Sequence, residues 1–496
     1  MRKTIILILL GVVSIYGQRN YERTIERGIK QVYNFNFAQA EKIFLSALEL
    51  KPNQPAAYHY LSQNHLWFYL GSQQEEDYQI FFTYSNMAED KCKALLEDEP
   101  SSQKLLSMMG NIHMLRAMAS AAKGESLDAF WASRSSVSYF EKVLELNPKN
   151  VDAYFALGVF KYALSFVPGI FKWALEISGL SGDKDKALEY LQKCSVEGIE
   201  SQVEAKFHLS KVQLEYLADY PKAEANLNSI IEEFPNNALF QYQLALVLIE
   251  KHNLAKAEQK LVKVISINHP KFSQINAFSY FLLGEIYFRR NQFEKALSNF
   301  EIFNSLSATI DYSGISNYRI AICHYFLGSE LEYKKYLLLA RNGNLDINDD
   351  IYAKIESEKI FNTPFNELSF DFITAENYIA NRKYSDCINF LSKTERELSQ
   401  PDSLRYNLLL ADANSYLRKH ETVLSLLLSY VDSKELNESV YKAEIYYLLA
   451  KSYNGIKYHA LARDFHEKAV ESNQGIFKDK LQAKLNRLSK SLKKSN

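Results

Sequence analysis

Proline and glycine are scarce in this chain, 10 and 17 in 496 residues. So few breakers argue against a β-rich or low-complexity chain and for long runs of helix. Cysteine is nearly missing: Cys92, Cys194, Cys323 and Cys387 stand far apart, with no CxxC or other metal spacing. Each falls inside a predicted helix, so four buried free thiols are expected. The ten histidines are scattered as well. The closest pairs, His59/His65 and His459/His466, lack the i, i+4 spacing of a helical metal pair, so no metal site is expected. Net charge is missing too, at −1. Such a balance provides no global field for nucleic acid or anionic membrane, and no nucleic-acid partner is expected. Enzyme motifs are absent: there is no Gly-rich phosphate loop, no G-x-S-x-G and no HExxH. The expectation is a non-enzyme with no catalytic residues and no cofactor.

Aromatic residues are plentiful, 33 tyrosines and 30 phenylalanines. Their spacing is most regular in Ala277–Phe303, which reads as one tetratricopeptide-type repeat, a helix–turn–helix of about 34 residues. Tyr280 takes the large aromatic position, Leu283-Gly284 the Leu-Gly pair, and Tyr287 follows one turn later. After the polar turn Arg290-Asn291-Gln292 come Phe293, Ala296, Phe300 and Phe303. Gly284 and Ala296 are small where two helix backbones approach; Tyr287 and Phe300 fill the space around them. Similar patterns recur from Tyr21–Pro52 to Tyr441–Ser472, giving roughly nine or ten helix pairs. The predicted fold is all-α, a tetratricopeptide-repeat-type superhelical solenoid of helix–turn–helix pairs.

The N-terminus reads as a signal peptide over residues 1–17. Arg2 and Lys3 form a basic start, and Ile5–Val13 is apolar but too short to span a bilayer. Cleavage near Gly17 would leave Gln18 as the first residue of an exported chain, periplasmic or secreted. The repeat array then divides into residues 18–341 and 366–475, with 342–365 expected as an irregular linker. Residues 476–496 form a basic amphipathic helix: Phe477, Leu481, Leu485, Leu488 and Leu492 share one face, and lysines cover the rest. Its expected role is to cap the array; contact with a membrane, if any, would come through this helix.

One repeat is interrupted. It opens with Tyr154, Leu157 and Gly158, but its second-helix signature arrives only at Asp185-Lys186-Ala187-Leu188. Roughly 17 residues are inserted, an apolar stretch within 163–183 that includes Phe166, Pro168, Phe171 and Trp173. Phe160, Lys161, Leu164, Ser165 and Pro168, followed by Gly179, Leu180, Ser181, Gly182 and Asp183, resemble the motif of the tetratricopeptide repeat protein 39 family, which includes the fungal inclusion-body clearance proteins. The segment Gly110–Tyr139, with Arg134, is also similar. The chain departs from that pattern in its export signal, which suggests a bacterial form, and in Lys184, which replaces an arginine. The resemblance implies an all-helical repeat fold, with no established catalytic residues and links to inclusion-body clearance and lipid metabolism.

Two function classes follow. The first is a protein-interaction scaffold that holds a protein or peptide on its concave surface. The second is a carrier of a hydrophobic small molecule or lipid in an apolar groove lidded by 163–183. The first helices of the array offer Leu239, Tyr242, Leu246, Ile249, Phe278, Phe281 and Phe288 just off the packing face, a poor surface to leave in water. The insert is expected to cover them through Phe166, Phe171 and Trp173, as a fixed plug rather than a mobile lid.

Overall fold

A computed structural model describes residues 19–165, 181–362, 367–393 and 398–493. The signal-peptide stretch and the insert residues Phe166, Pro168, Phe171 and Trp173 lie outside the described residues. Among those described, the secondary structure is helical and there is no strand. The all-α, tetratricopeptide-type array of helix pairs is therefore the fold. Two compact units emerge. Unit 1 holds the residues up to Ser210 with Ala225–Gln241 and Ile267–Ser273; unit 2 holds Lys211–Glu224, Tyr242–Ser266 and the residues from Gln274 onward. The division thus falls around 211–274, not at 342–365. Where an irregular linker was expected, residues Asn348–Asn362 form a helix. Asn348, Asp349 and Asp350 read as turn formers, but they start the helix. The Asp350 carboxylate accepts from the backbone N–H of Ile315 (2.8 Å) and of Asn344 (2.8 Å), which ties the segment into the array.

Unit 1 begins with α1 (19–33) and α2 (Phe37–Leu50). The pairs α3 (Pro55–Ser72) with α4 (Glu75–Asp98) and α5 (Gln103–Lys123) with α6 (Ser126–Leu146) follow, then α7 (Val151–Leu164) with α8 (Lys184–Glu197). Proline at the first turn suits the start of α3, where its missing N–H costs no bond. Later chain returns to the first pair. Asn237 donates to the Tyr33 carbonyl (2.9 Å), Phe272 stacks on Phe37 (5.3 Å), and the Lys271 ammonium meets the buried Asp77 carboxylate (2.6 Å).

The helices α9 (Gln202–Glu215), α10 (Tyr220–Glu233) and α11 (Ala238–Glu250) carry the division between the units, and α12 (Leu254–Ile267) follows. The rest of unit 2 is α13 (Ser273–Arg289), α14 (Phe293–Leu306), α15 (Ser313–Phe326), α16 (Glu330–Leu339) and α17 (Asn348–Asn362). It continues with α18 (Glu367–Ala380), α19 (Tyr384–Leu391), α20 (Gln400–Tyr416), α21 (His420–Leu427) and the short α22 (Lys434–Glu438), and ends with α23 (Lys442–Gly455), α24 (His459–Ser472) and α25 (Lys478–Lys493). The α13–α14 pair shows why the repeat needs its residues. Ala296, Phe300 and Phe303 are fully buried, and a Cβ built on Gly284 would stand 2.7 Å from the Phe300 ring. Only glycine leaves room for that ring between the backbones. All four cysteines are buried and unpaired. Burial pushes the Cys92, Cys194 and Cys387 thiols up to about 12, so they are protonated at neutral pH.

Candidate binding surface

The residues expected to line a groove divide by their place in the packing. Leu239 belongs to unit 1; the other six belong to unit 2. Ile249, Phe281 and Phe288 are buried, whereas Leu239, Tyr242, Leu246 and Phe278 are half-buried. Phe281 has cover from its own neighbourhood: Phe300 (5.8 Å), Phe303 (5.2 Å) and Tyr312 (5.4 Å). Phe278 packs on Phe303 and Tyr312, each at 5.7 Å. Both rings thus have aromatic cover within unit 2. Among the insert residues that are described, Gly182 lies against the backbone of Leu164 and Ser165. Asp183 donates its N–H to the Lys161 carbonyl (3.0 Å) and caps α8 by accepting from the N–H of Lys186 (2.9 Å). The Gly-Asp pair thus closes the neck of the insert and starts the next helix.

Phe288 leads to a different surface. It lines a cleft of about 270 Å³ in unit 2, built from the helices α13, α15, α17, α18 and α20. Helical spacing aims the lining side chains. Phe288 and Arg289 stand beside Glu285 on α13, one turn along, and Ile373, Glu376, Asn377 and Ala380 make one stripe of α18. The cleft walls carry guanidinium, carboxylate and amide groups. Arg319 donates from Nε to Glu285 Oε1 (2.7 Å), and an Arg289 Nη lies 3.6 Å from the other oxygen. Burial pushes the Glu285 carboxyl up, but Arg319 and Arg289 outweigh it and hold the group below the usual carboxylate range. The Arg319 guanidinium also lies over the Phe288 ring at 4.7 Å.

Across the cleft, Arg405 donates to Glu376 Oε1 (2.8 Å) and lies over the Phe372 ring at 4.9 Å. Its Nε is buried and has no hydrogen-bond partner among the described residues. Asn377 donates to the Phe288 carbonyl (3.0 Å) and to Asn291 Oδ1 (2.7 Å), which fixes α18 against α13. Burial drives the phenols of Tyr318 and Tyr352 above their ordinary range, so they stay neutral. Cys323, on the wall helix α15, is buried with its thiol pushed up as well. The chemistry on offer is charge-assisted hydrogen bonding and stacking. Among the described residues no group of three His, Cys, Asp or Glu side chains is placed to hold a metal ion. No described helix is long and apolar enough to cross a membrane.

The basic face of α25, where any membrane contact was expected, also makes contacts within unit 2. Its apolar face packs into the last repeats, with Leu485, Leu488 and Leu492 buried beside Leu448, Leu449 and Phe465. The neighbouring stripe is Phe477, just before the helix, with Lys480, Lys484 and Arg487; Phe477 and Lys484 are half-buried, Lys480 and Arg487 exposed. Phe477 meets the Tyr352 ring at 5.5 Å, and Arg487 donates to the Ala218 carbonyl at 2.9 Å. Asn486 donates to the Tyr216 carbonyl at 2.9 Å. Burial pulls the Lys484 ammonium down, but Tyr416, Glu444, Tyr447 and Asp412 hold it above its ordinary range. Burial raises the carboxyl of Asp412, and the Lys484 charge opposes that rise. The stripe's spacing of three, four and three residues is the signal that could have revealed it.

Residues 150–338 match the family model described as Iml2/Tetratricopeptide repeat protein 39. The matched stretch holds the Phe160–Asp183 motif, in agreement with the resemblance read from it, and leaves the Gly110–Tyr139 segment outside. No curated protein sequence matches the chain. Among solved structures, the crystal structure of yeast Tom70 aligns over 96% of this chain and 96% of that chain, at 16% identity and a TM-score of 0.30. The structure of the APC/C hetero-tetramer Cut9–Hcn1 aligns over 92% of this chain and 95% of that chain, at 13% identity and a TM-score of 0.25.

Proposed function

We propose that this chain is a non-enzymatic protein-interaction scaffold that receives a protein segment in the cleft of unit 2. The observation that carries this reading is the cleft itself. Five helices present Arg289, Arg319, Arg405, Glu356, Glu376 and Asn377 to one solvent-accessible space. Charged and amide groups of this kind suit the backbone and side chains of a peptide better than an acyl chain. The hydrophobic-ligand reading would need an apolar groove, and Phe278 and Phe281 are taken up by Phe303 and Tyr312.

A photo-crosslinking residue at Glu356 tests the scaffold, with one at the exposed Val262 as control. Protein adducts are expected at position 356 and not at 262. Arg405→Gln should weaken capture by roughly 2 kcal/mol or more if this arginine anchors the partner. Extractable lipid in the purified protein, with no protein adduct at 356, would replace the scaffold by the carrier.

The proposal includes export. A basic start, a short apolar run and Gly17-Gln18 support a mature chain that begins at or near Gln18 and works outside the cytoplasm. N-terminal sequencing of the folded protein should return Gln18 or a close neighbour; an intact Met1 would refute export.

A further inference from the structure

We propose that the surface of unit 2 that runs past Tyr216, Ala218 and Tyr352 is a docking site for a basic amphipathic helix of a partner protein, and that α25 occupies this site as an internal ligand. The inference rests on the scaffold reading and adds the chemistry of the partner. A helix that merely seals an array needs one apolar face and one solvated face. α25 has two working faces. The leucine stripe is buried in the last repeats. The adjacent stripe touches elements drawn from the whole length of unit 2. Arg487 and Asn486 bind the carbonyls of Ala218 and Tyr216, near the first residues of the unit. Phe477 reaches Tyr352 on α17, a wall helix of the cleft. The Lys480 charge acts on Glu285, whose carboxylate pairs with Arg319 at the same cleft.

Charge complementarity defines the occupant. Asp412 interacts electrostatically with Lys484 and Lys451, and Glu444 with Lys484, yet neither carboxylate makes a direct ion pair or a hydrogen bond through its side chain among the described residues. Glu444 also keeps solvent exposure. The two acids attract a cation without being locked to one, which suits exchange of one basic helix for another. The readout is an aromatic residue followed by basic residues three, seven and ten positions on, beside a leucine stripe. The hinge for release is at hand: Gly475, between α24 and α25, has open space around it.

The full chain provides the test. One variant combines Lys480→Glu, Lys484→Glu and Arg487→Glu, reversing the basic stripe while keeping every leucine. The probe is a fluorescent peptide of residues 475–496. A second peptide has the same composition and leucine stripe but moves Phe477, Lys480, Lys484 and Arg487 to the outer face. The variant should bind the first peptide roughly tenfold tighter or more than the unmodified chain does, because its own helix no longer competes. The rearranged peptide should bind about tenfold more weakly, and added salt should weaken the correct one.

A second form guards against misfolding: a protease site inserted at Gln474-Gly475 of the otherwise unmodified chain. After cleavage α25 is held without a covalent link, and an excess of the first peptide should displace it while the rearranged peptide should not. Equal behaviour of the two peptides would overturn the proposal, as would a cleaved chain whose α25 cannot be exchanged. Dimers formed by swapping α25 between copies would also overturn it, since the occupant would then be a second copy. Failure here with protein adducts still forming at position 356 removes the basic helix alone. Peptide exchange without such adducts removes the cleft scaffold instead.

Discussion

Replacing Phe300 by alanine is expected to lower the unfolding free energy by about 3–5 kcal/mol, the range for truncating a fully buried aromatic ring. Phe300 has no exposed surface and lies in a core that runs from Ala277 on α13 to Ile360 on α17. Its ring fills the gap left by Gly284 and packs on Phe281, so truncation opens a cavity where two helix backbones touch. Urea unfolding followed by circular dichroism measures the loss. Leu306→Ala on the same helix is the control: Leu306 is 48% exposed, and the change should stay within about 0.5 kcal/mol. A coupled result follows from the 2.7 Å approach. Gly284→Ala alone crowds the ring, whereas in the Phe300→Ala background the new methyl enters the cavity and gains about 1 kcal/mol of helix propensity. The double-mutant cycle should therefore show strong coupling between 284 and 300. Independent effects would mean that the glycine is not there for the ring.

That glycine–phenylalanine pair was legible in the sequence because its cause is local. A helix–turn–helix brings positions 284 and 300 together whatever surrounds the repeat, so small and large residues appear at fixed offsets. The division into units was not legible. It falls in the regular helices α9, α10 and α11, which carry ordinary repeat residues, while the polar stretch expected to divide the chain folds as α17. Asn348-Asp349-Asp350 is the same run of letters in a linker and in a helix start; what decides between them is Asp350 finding the N–H groups of Ile315 and Asn344.

The binding surface was read only in part for a related reason. Reasoning from exposed apolar positions picked out Phe278, Phe281 and Phe288, and tertiary packing then separated them. Tyr312 comes from the loop before α15 and covers the first two, whereas Phe288 turns to the cleft. The groups that give the cleft its chemistry, Arg319, Arg405 and Glu376, look like ordinary solvated charges in sequence. They become a site because neighbouring first helices aim them at one space. The same holds for α25. Its leucine stripe announces a packing face at once, but the setting of Lys484 depends on Asp412 and Glu444, which stand far from it in sequence.

The second large effect is the share of stability lost in mild acid that belongs to one side chain, His59. This residue lies on α3, is 4% exposed, and its Nδ1 has no hydrogen-bond partner. Burial is the one cause acting on its titration, and it holds the imidazole down to about 4 against an ordinary 6.5. In the unfolded chain the ring takes up its proton near 6.5. Between these values the unfolded state therefore binds more protons, and stability falls as pH falls. The contribution is fully present above pH 6.5 and is lost progressively down to about 4. A displacement of this size corresponds to about 3 kcal/mol, at about 1.4 kcal/mol for each pH unit of displacement.

His59→Leu removes the titration and buries no unpaired nitrogen, so it should change little near pH 7. The informative quantity is the difference in unfolding free energy between His59→Leu and the unmodified protein, followed from pH 7 to pH 4. It should grow in favour of the leucine variant by about 3 kcal/mol. Carboxylates such as Glu285 and the other histidines held down by desolvation, such as His252, titrate in both proteins and cancel in that difference. A flat difference would mean that His59 accepts its proton in the folded state, and that the interior between α3 and its neighbours admits water.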